Sequence, residues 1–258
     1  MFNVEVEVNN IVNFIRDYYQ KNNLKGVIIG ISGGKDSAVV AALFTKALGS
    51  ENVIGVKLPC HSKEIDSKDA QLISDYYNFK LINLDLTNVY DTFEDEINKI
   101  DNFKEEDKIN SQINIKPRLR MMSLYYLAAL YSSIYNKPYL VAGTSNKSEI
   151  FVGYFTKGGD NVCDIRVISD LTKEEVIKVG EYLKVPEKVL YKAPSDGLTN
   201  KTDEDKLGVK YSDIALYMDN KLVDKEITNK IETLHKNNLH KFNIPTYEKS
   251  NKWKQEYM

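Results

Sequence analysis

The chain has 258 residues, 42% of them hydrophobic, which is enough to bury a sizeable core in one large domain or two small ones. Basic and acidic residues nearly balance at a net charge of −2 and a pI near 6.0, so the composition excludes a basic nucleic-acid footprint. No apolar run approaches the roughly 20 residues of a membrane span, "MFNVEVEVNN" has neither the basic nor the apolar region of a signal peptide, and two distant cysteines, Cys60 and Cys163, suit a reduced, cytoplasmic chain.

In chain order, Val4, Val8, Ile11, Val12 and Ile15 recur at helical spacing and predict an amphipathic helix over 3–21. "KGVIIGI" is a short β-branched run bounded by glycines, as in a buried strand. "AVVAALFTKALG" predicts a helix closed by Gly49. A second strand, "NVIGVKLP", is followed by the helix "EIDSKDAQLISDYYN" and a third strand, "KLINLDL". Residues 88–99 are expected to be helical, and the charged stretch 101–110 a loop or frayed end. "PRLRMMSLYYLAALYSSIYNK" reads as a long helix, apolar on more than one face and therefore buried all round. "PYLVAG" is a fourth strand. No internal repeat and no Pro/Gly/Ser linker divides the chain, which is expected to be one domain over 1–258. Strands alternating with helices predict an open parallel α/β sheet with helices on both faces. Ligands of such sheets sit beyond the carboxyl ends of the strands, where the first predicted strand runs into "GISGGKDS".

That stretch looks like a Walker phosphate loop but has the wrong order, because Asp36 stands between Lys35 and Ser37. A glycine turn between strand and helix still suits phosphate. The helix start offers free N–H groups and the positive end of the dipole. Gly33 and Gly34 let backbone approach the oxygens, and Ser32 and Ser37 add hydroxyls. Asp36 would repel phosphate unless a cation lies between them, which implies Mg²⁺. "SGG" by itself is a common turn; the chemistry lies in the whole Ser-Gly-Gly-x-Asp-Ser in this setting.

Ser-Gly-Gly-x-Asp-Ser resembles the pyrophosphate loop of the N-type ATP pyrophosphatases. The resemblance implies an adenine nucleotide alpha hydrolase-like, Rossmann-like three-layer sandwich. It also implies cleavage of ATP between the α- and β-phosphates, with Gly30, Ile31, Ser32, Gly33, Gly34, Lys35, Asp36 and Ser37 around ATP. Lys35, at the variable position, is given no catalytic role. "NIKPRLRMMSLYYLA", "GTSNKSEIFVGYFTKGGDNVCDIRVISDLTKEEV", "KAPSDGL", "TDEDKLGVKY" and "HKFNIP" then resemble, in order, the ammonia-dependent NAD synthetases. That resemblance implies ATP-dependent amidation of deamido-NAD⁺ by ammonia through an adenylated carboxylate. Asp36 and Glu149 match Mg²⁺ ligands; Thr144, Lys173 and Ser195 match ATP contacts. Arg118, Lys157, Asp164, His240 and Lys241 match contacts to deamido-NAD⁺, and Asp164 is also a candidate for holding ammonium. The resemblance further implies a homodimer with substrate sites at its interface, so part of the long helix 118–135 is expected to bury against a second chain. Lacking a glutaminase-like segment, the chain is expected to take free ammonia or be fed by a separate glutaminase.

Read without the resemblance, Glu149 is a surface helix residue, the arginines are solvated charges, and "FTKGGD" is a turn. Cys60 beside His61 departs from the family's usual small residues, and no second pair completes a zinc site. "SDGLTNKTDEDK" reads as a lid. The rival functions are another pyrophosphate-loop enzyme acting on tRNA, and an ATP-binding regulatory protein similar to the universal stress proteins.

Overall fold

The computed structural model describes residues 2–62, 64–192, 202–242 and 244–247. Asn3 caps the first helix, α1 (Val4–Lys21), by accepting the Val6 N–H at 3.2 Å. Its buried stripe is Val8, Ile11, Val12, Ile15 and Tyr19. Then follow β1 (Gly26–Gly30), α2 (Lys35–Leu48), β2 (Val53–Lys57), α3 (Glu64–Tyr77), β3 (Lys80–Asn83) and α4 (Thr87–Asn98). The long α5 (Glu105–Tyr135) leads to β4 (Tyr139–Gly143), α6 (Lys147–Val152) and a two-residue strand, β5 (Ile165–Arg166). The chain continues through α7 (Lys173–Tyr182), α8 (Glu187–Leu190), α9 (Asp203–Leu207), α10 (Tyr211–Met218) and α11 (Lys225–Asn238). Among the described residues no helix is long and apolar enough to cross a membrane.

All strand pairs are parallel, in the order β3-β2-β1-β4-β5. Strand alternation sorts β1 between two cores. Val27 and Ile29 join α1, α2, α3 and α7 on one face, whereas Ile28 joins α5 on the other. This is the expected open parallel sheet with helices on both faces. A third cluster, Val152, Val209, Tyr211, Ile214 and Ile231, ties α6, α10 and α11 together.

Three expectations need correction. Residues 105–110 are not a loop: α5 begins at Glu105, with Glu105, Glu106 and Asp107 in its first turn, where the helix dipole favours acids. Pro117 suggested a helix start, the position proline likes best, but it lies buried inside α5. Within the single chain, α5 is not buried all round. Leu119, Met121, Leu124, Ala128 and Tyr131 face the sheet, while Met122, Tyr126, Leu130 and Ile134 are exposed. β5 was not expected, because two residues carry no periodicity to read.

Candidate active site

The strand order reverses between β1 and β4, so the loops leaving these two strands diverge and open a crevice. It holds a cavity of about 740 Å³, walled by both loops, the middle of α5 from Ile113 to Leu124, Glu149 and Val152 of α6, and Lys173 and Asp203.

The first loop follows β1. Gly33 has φ +76°, and a Cβ on it would stand 2.4 Å from the Asp66 carbonyl oxygen of α3, so the turn admits only glycine. The loop is wired internally. The Ser37 hydroxyl donates to the Gly34 carbonyl at 3.0 Å and lies 3.1 Å from the Ser32 hydroxyl, which in turn accepts the Gly34 N–H at 3.2 Å. Gly34 is the N-cap of α2 and has no side chain to offer, so the first N–H groups of this 14-residue helix point into the crevice without a side-chain cap.

The second loop follows β4. Thr144 lies on the cavity wall. Asn146, fully buried, is the N-cap of α6 and forms a reciprocal capping box with Glu149. Its amide also donates to Asp36 Oδ1 at 3.0 Å. One side chain thus orients both acids. Lys173, the first residue of α7, is positioned by a second capping box from Thr172 to Glu175. Its ammonium lies 3.0 Å from Asp36 Oδ2 and 2.5 Å from Glu149 Oε1. All three side chains are largely buried, and the charges govern one another. Burial pushes the Glu149 carboxyl up to about 7 despite the lowering pull of Lys173, with Asp36 adding to the rise. Burial works against the Lys173 ammonium, but Asp36 and Glu149 outweigh it and hold its pKa above the usual lysine range.

Two hard carboxylate oxygens beside an open helix N-terminus fit Mg²⁺, which takes one or two carboxylates and completes its shell with water and phosphate oxygens. Among the described residues no cluster of three or more His, Cys, Asp or Glu could hold a metal ion.

The second group of expected residues is partly assembled. The Arg118 guanidinium donates to the Lys157 carbonyl at 3.2 and 3.3 Å, and Lys157 Nζ donates to the His240 carbonyl at 3.1 Å. Lys241 donates to the Gly153 and Phe155 carbonyls at 2.7 and 2.8 Å and lies on the cavity wall. Arg118, Lys157 and His240 are thus linked through backbone carbonyls into one group, with Lys241 next to His240 in sequence; of the four, Lys241 lines the cavity. Asp164 does not join it. Its carboxylate accepts the Tyr125 hydroxyl at 3.0 Å and the Val141 N–H at 2.8 Å, which pins α5 to β4. Ser195 lies outside the described residues, as does most of the stretch read as a lid. The described remainder forms α9, capped by Thr202, with Asp203 and Lys206 on the cavity wall.

Sequence reasoning missed Asn146, Asp160 and Arg120 on or beside this wall. The N-x-x-E spacing of Asn146 and Glu149 was a usable signal for the first. Cys60 and His61 stand apart from the site: Cys60 is in the core behind β2, and His61 Nε2 lies 2.6 Å from Asp91. Lys35 is only 7% exposed and is on the cavity wall.

Comparison with known proteins adds the following. The family model described as NAD synthase matches residues 7–257. The chain is 40% identical over 244 residues to an NH(3)-dependent NAD(+) synthetase of Carboxydothermus hydrogenoformans, covering 94% of this chain and 97% of that one. In structure it is similar to an NMN synthetase from Francisella tularensis, with a TM-score of 0.86, 33% identity, and coverage of 96% and 99% of the two chains. It is also similar to an NH3-dependent NAD synthetase from Campylobacter jejuni in complex with the nitrate ion. There the TM-score is 0.76 and the identity 27%, with 96% and 100% covered.

Proposed function

The chain belongs to the NAD synthase family, and from that premise we infer that it makes NAD⁺ from deamido-NAD⁺, ammonia and ATP, releasing AMP and pyrophosphate. The observation that carries this reading is the buried Asp36–Lys173–Glu149 cluster beside the uncapped N-terminus of α2. A γ-phosphoryl transferase places a Walker lysine there; this site instead has donors for the outer phosphates and acids for a cation.

The residues divide the work as follows. The N–H groups at the start of α2 and the hydroxyls of Ser32 and Ser37 hold the β- and γ-phosphates. Lys173 and Thr144 contribute further donors to ATP. Asp36 and Glu149 hold Mg²⁺, which when bound offsets negative charge on the phosphates and the leaving pyrophosphate. Arg118, Lys157, His240 and Lys241 receive the deamido-NAD⁺ phosphates. The pyridine carboxylate attacks the α-phosphorus, and the bond to the β-phosphate oxygen breaks. Ammonia then adds to the activated carbonyl, the bond to the AMP oxygen breaks, and a proton is lost. The protein contributes positioning and fixed charge rather than a covalent intermediate. Residues 1–258 act as one NAD synthase domain, as a homodimer, in the cytoplasm. The ammonia is free or comes from a separate glutaminase.

The test is an oxygen-18 label in the carboxylate of deamido-NAD⁺. One labelled oxygen is expected in AMP and the other in the new amide. Label in inorganic phosphate or its absence from AMP would refute the mechanism, and efficient use of glutamine in place of ammonia would refute the donor. The Francisella structure motivates a second reading, in which the acid is nicotinic acid mononucleotide. Comparing kcat/KM for the two acids decides between them.

A further inference from the structure

We propose that Tyr211 is a positioning residue: the face of its ring seats the Lys173 ammonium where ATP meets it. Its place in the chemistry rests on the reading of the site given above. Two partners of the Lys173 ammonium are the carboxylates of Asp36 and Glu149, at 3.0 and 2.5 Å. A third is the Tyr211 ring, whose centre lies 4.9 Å from the ammonium nitrogen.

The ring is held firmly. Tyr211 opens α10, where Lys210 supplies no side-chain cap, and Glu204 of α9 accepts the Tyr211 N–H at 2.9 Å instead. Only 4% of Tyr211 is exposed, and it belongs to the cluster of Val152, Ile214 and Ile231. Its hydroxyl is buried without a hydrogen-bond partner among the described residues. Burial, with the charges of Glu149 and Asp203 added, pushes that hydroxyl above the usual tyrosine range, so it stays a neutral phenol. What Tyr211 offers the site is therefore the face of a neutral aromatic ring, and such a face attracts a cation.

The carboxylates alone do not keep Lys173 in place through the reaction. They are the oxygens that would hold a divalent cation, and a metal and an ammonium repel each other across them. An ammonium on a flexible four-carbon stem then loses its fixed position. The ring gives up nothing to Mg²⁺, which takes oxygen ligands. It keeps the ammonium on the cavity wall, to which Lys173 belongs, and so leaves a donor ready for the oxygens of ATP.

Calorimetry of ATP with Mg²⁺, on the full chain and without a second substrate, reads the effect. Tyr211→Phe should bind ATP within about twofold of wild type, because only an unpartnered hydroxyl is lost. Phenylalanine carrying one to five ring fluorines in place of Tyr211 keeps nearly the same shape but withdraws negative charge from the ring face. ATP affinity should fall stepwise along this series, by about tenfold or more at its end. With Lys173→Met added, the same series should move ATP affinity by less than about twofold, since no cation is left for the ring to hold. A series that is flat with Lys173 present, or as steep without it, would overturn the proposal and leave the ring a packing role. So would a Tyr211→Phe variant that melts like wild type but loses ATP binding, because the hydroxyl would then be the part in use. If wild type binds ATP and releases AMP and pyrophosphate with deamido-NAD⁺ while the series is flat, only this proposal fails. If wild type binds no ATP, the reading of the site fails with it.

Discussion

Asp36 and Glu149 come from the first turns of α2 and α6, 113 positions apart in sequence, yet share one ammonium, that of Lys173. Asp36→Asn and Glu149→Gln keep side-chain shape and remove one negative charge each, so each should lower turnover about a hundredfold or more at saturating Mg²⁺. Near-normal turnover in either would sink the metal assignment. Glu149 also sets a pH dependence. Its folded pKa is raised from 4.5 to about 7, so the folded state holds its proton over a range where the unfolded chain has lost it. The stability this contributes is complete below about 4.5 and is lost as pH rises through 7. Melting of the metal-free protein should show that loss between about pH 4.5 and about pH 7, the two ends of the shift, and Glu149→Gln should flatten it. An unchanged slope in the variant would contradict the assignment. These two acids were legible because each sits in a motif that names its partners. Asn146, which orients both, was not read, because a buried amide inside a motif looks like any other polar residue until its two partners are in place. Lys35 is named with the loop around ATP but given no catalytic role, because the position between Gly34 and Asp36 varies in the pattern; its burial was not readable from the sequence.

At the scale of elements, strands β1 to β4 and helices α1 to α4 were readable because glycines and polar turns bound them and periodicity fills them. α5 was read short, since Pro117 imitates a helix start and acidic residues imitate a loop. Both residue types are at home near helix N-termini, and the sequence alone does not say how many turns precede them. The junction of β1 and α2 is the most constrained of all. Gly33→Ala would force a methyl 2.4 Å from the Asp66 carbonyl at φ +76°, so α3 or the loop must move. That conflict involves backbone on both sides and is expected to cost more than about 1 kcal/mol, lowering the melting temperature by several degrees. ATP affinity should fall as well, because the displaced loop no longer presents its donors together. A variant that melts and binds ATP like wild type would show that the loop does not need this turn.

For the molecule as a whole, the exposed face of α5 has the largest consequence. Met122, Tyr126, Leu130 and Ile134 recur every four residues and are 60%, 72%, 44% and 61% exposed, with Tyr135 at their end. A helix that buries one stripe against the sheet and shows a second, equally apolar stripe to water has an unpartnered surface. Sequence periodicity could not separate the two stripes, since both appear simply as apolar positions on a long helix. A second copy of this chain is the expected occupant. A two-fold axis would set the α5 stripes against each other, so that one surface serves both protomers. Asp164 and Arg118 lie on or beside this helix, through Tyr125 and through α5 itself, so closing the interface would also wall the outer end of the substrate site. Sedimentation equilibrium at micromolar concentration should give about twice the chain mass of 29.6 kDa. Met122→Lys together with Tyr126→Lys places two like charges on each side of the axis and should shift the protein to monomer. Its circular dichroism should be retained, because neither residue touches the core. The KM for deamido-NAD⁺ should rise with dissociation while ATP binding persists, for the phosphate loop belongs to one chain. A wild-type monomer would remove the dimer altogether, whereas a dimer that survives both lysines would move the interface off α5.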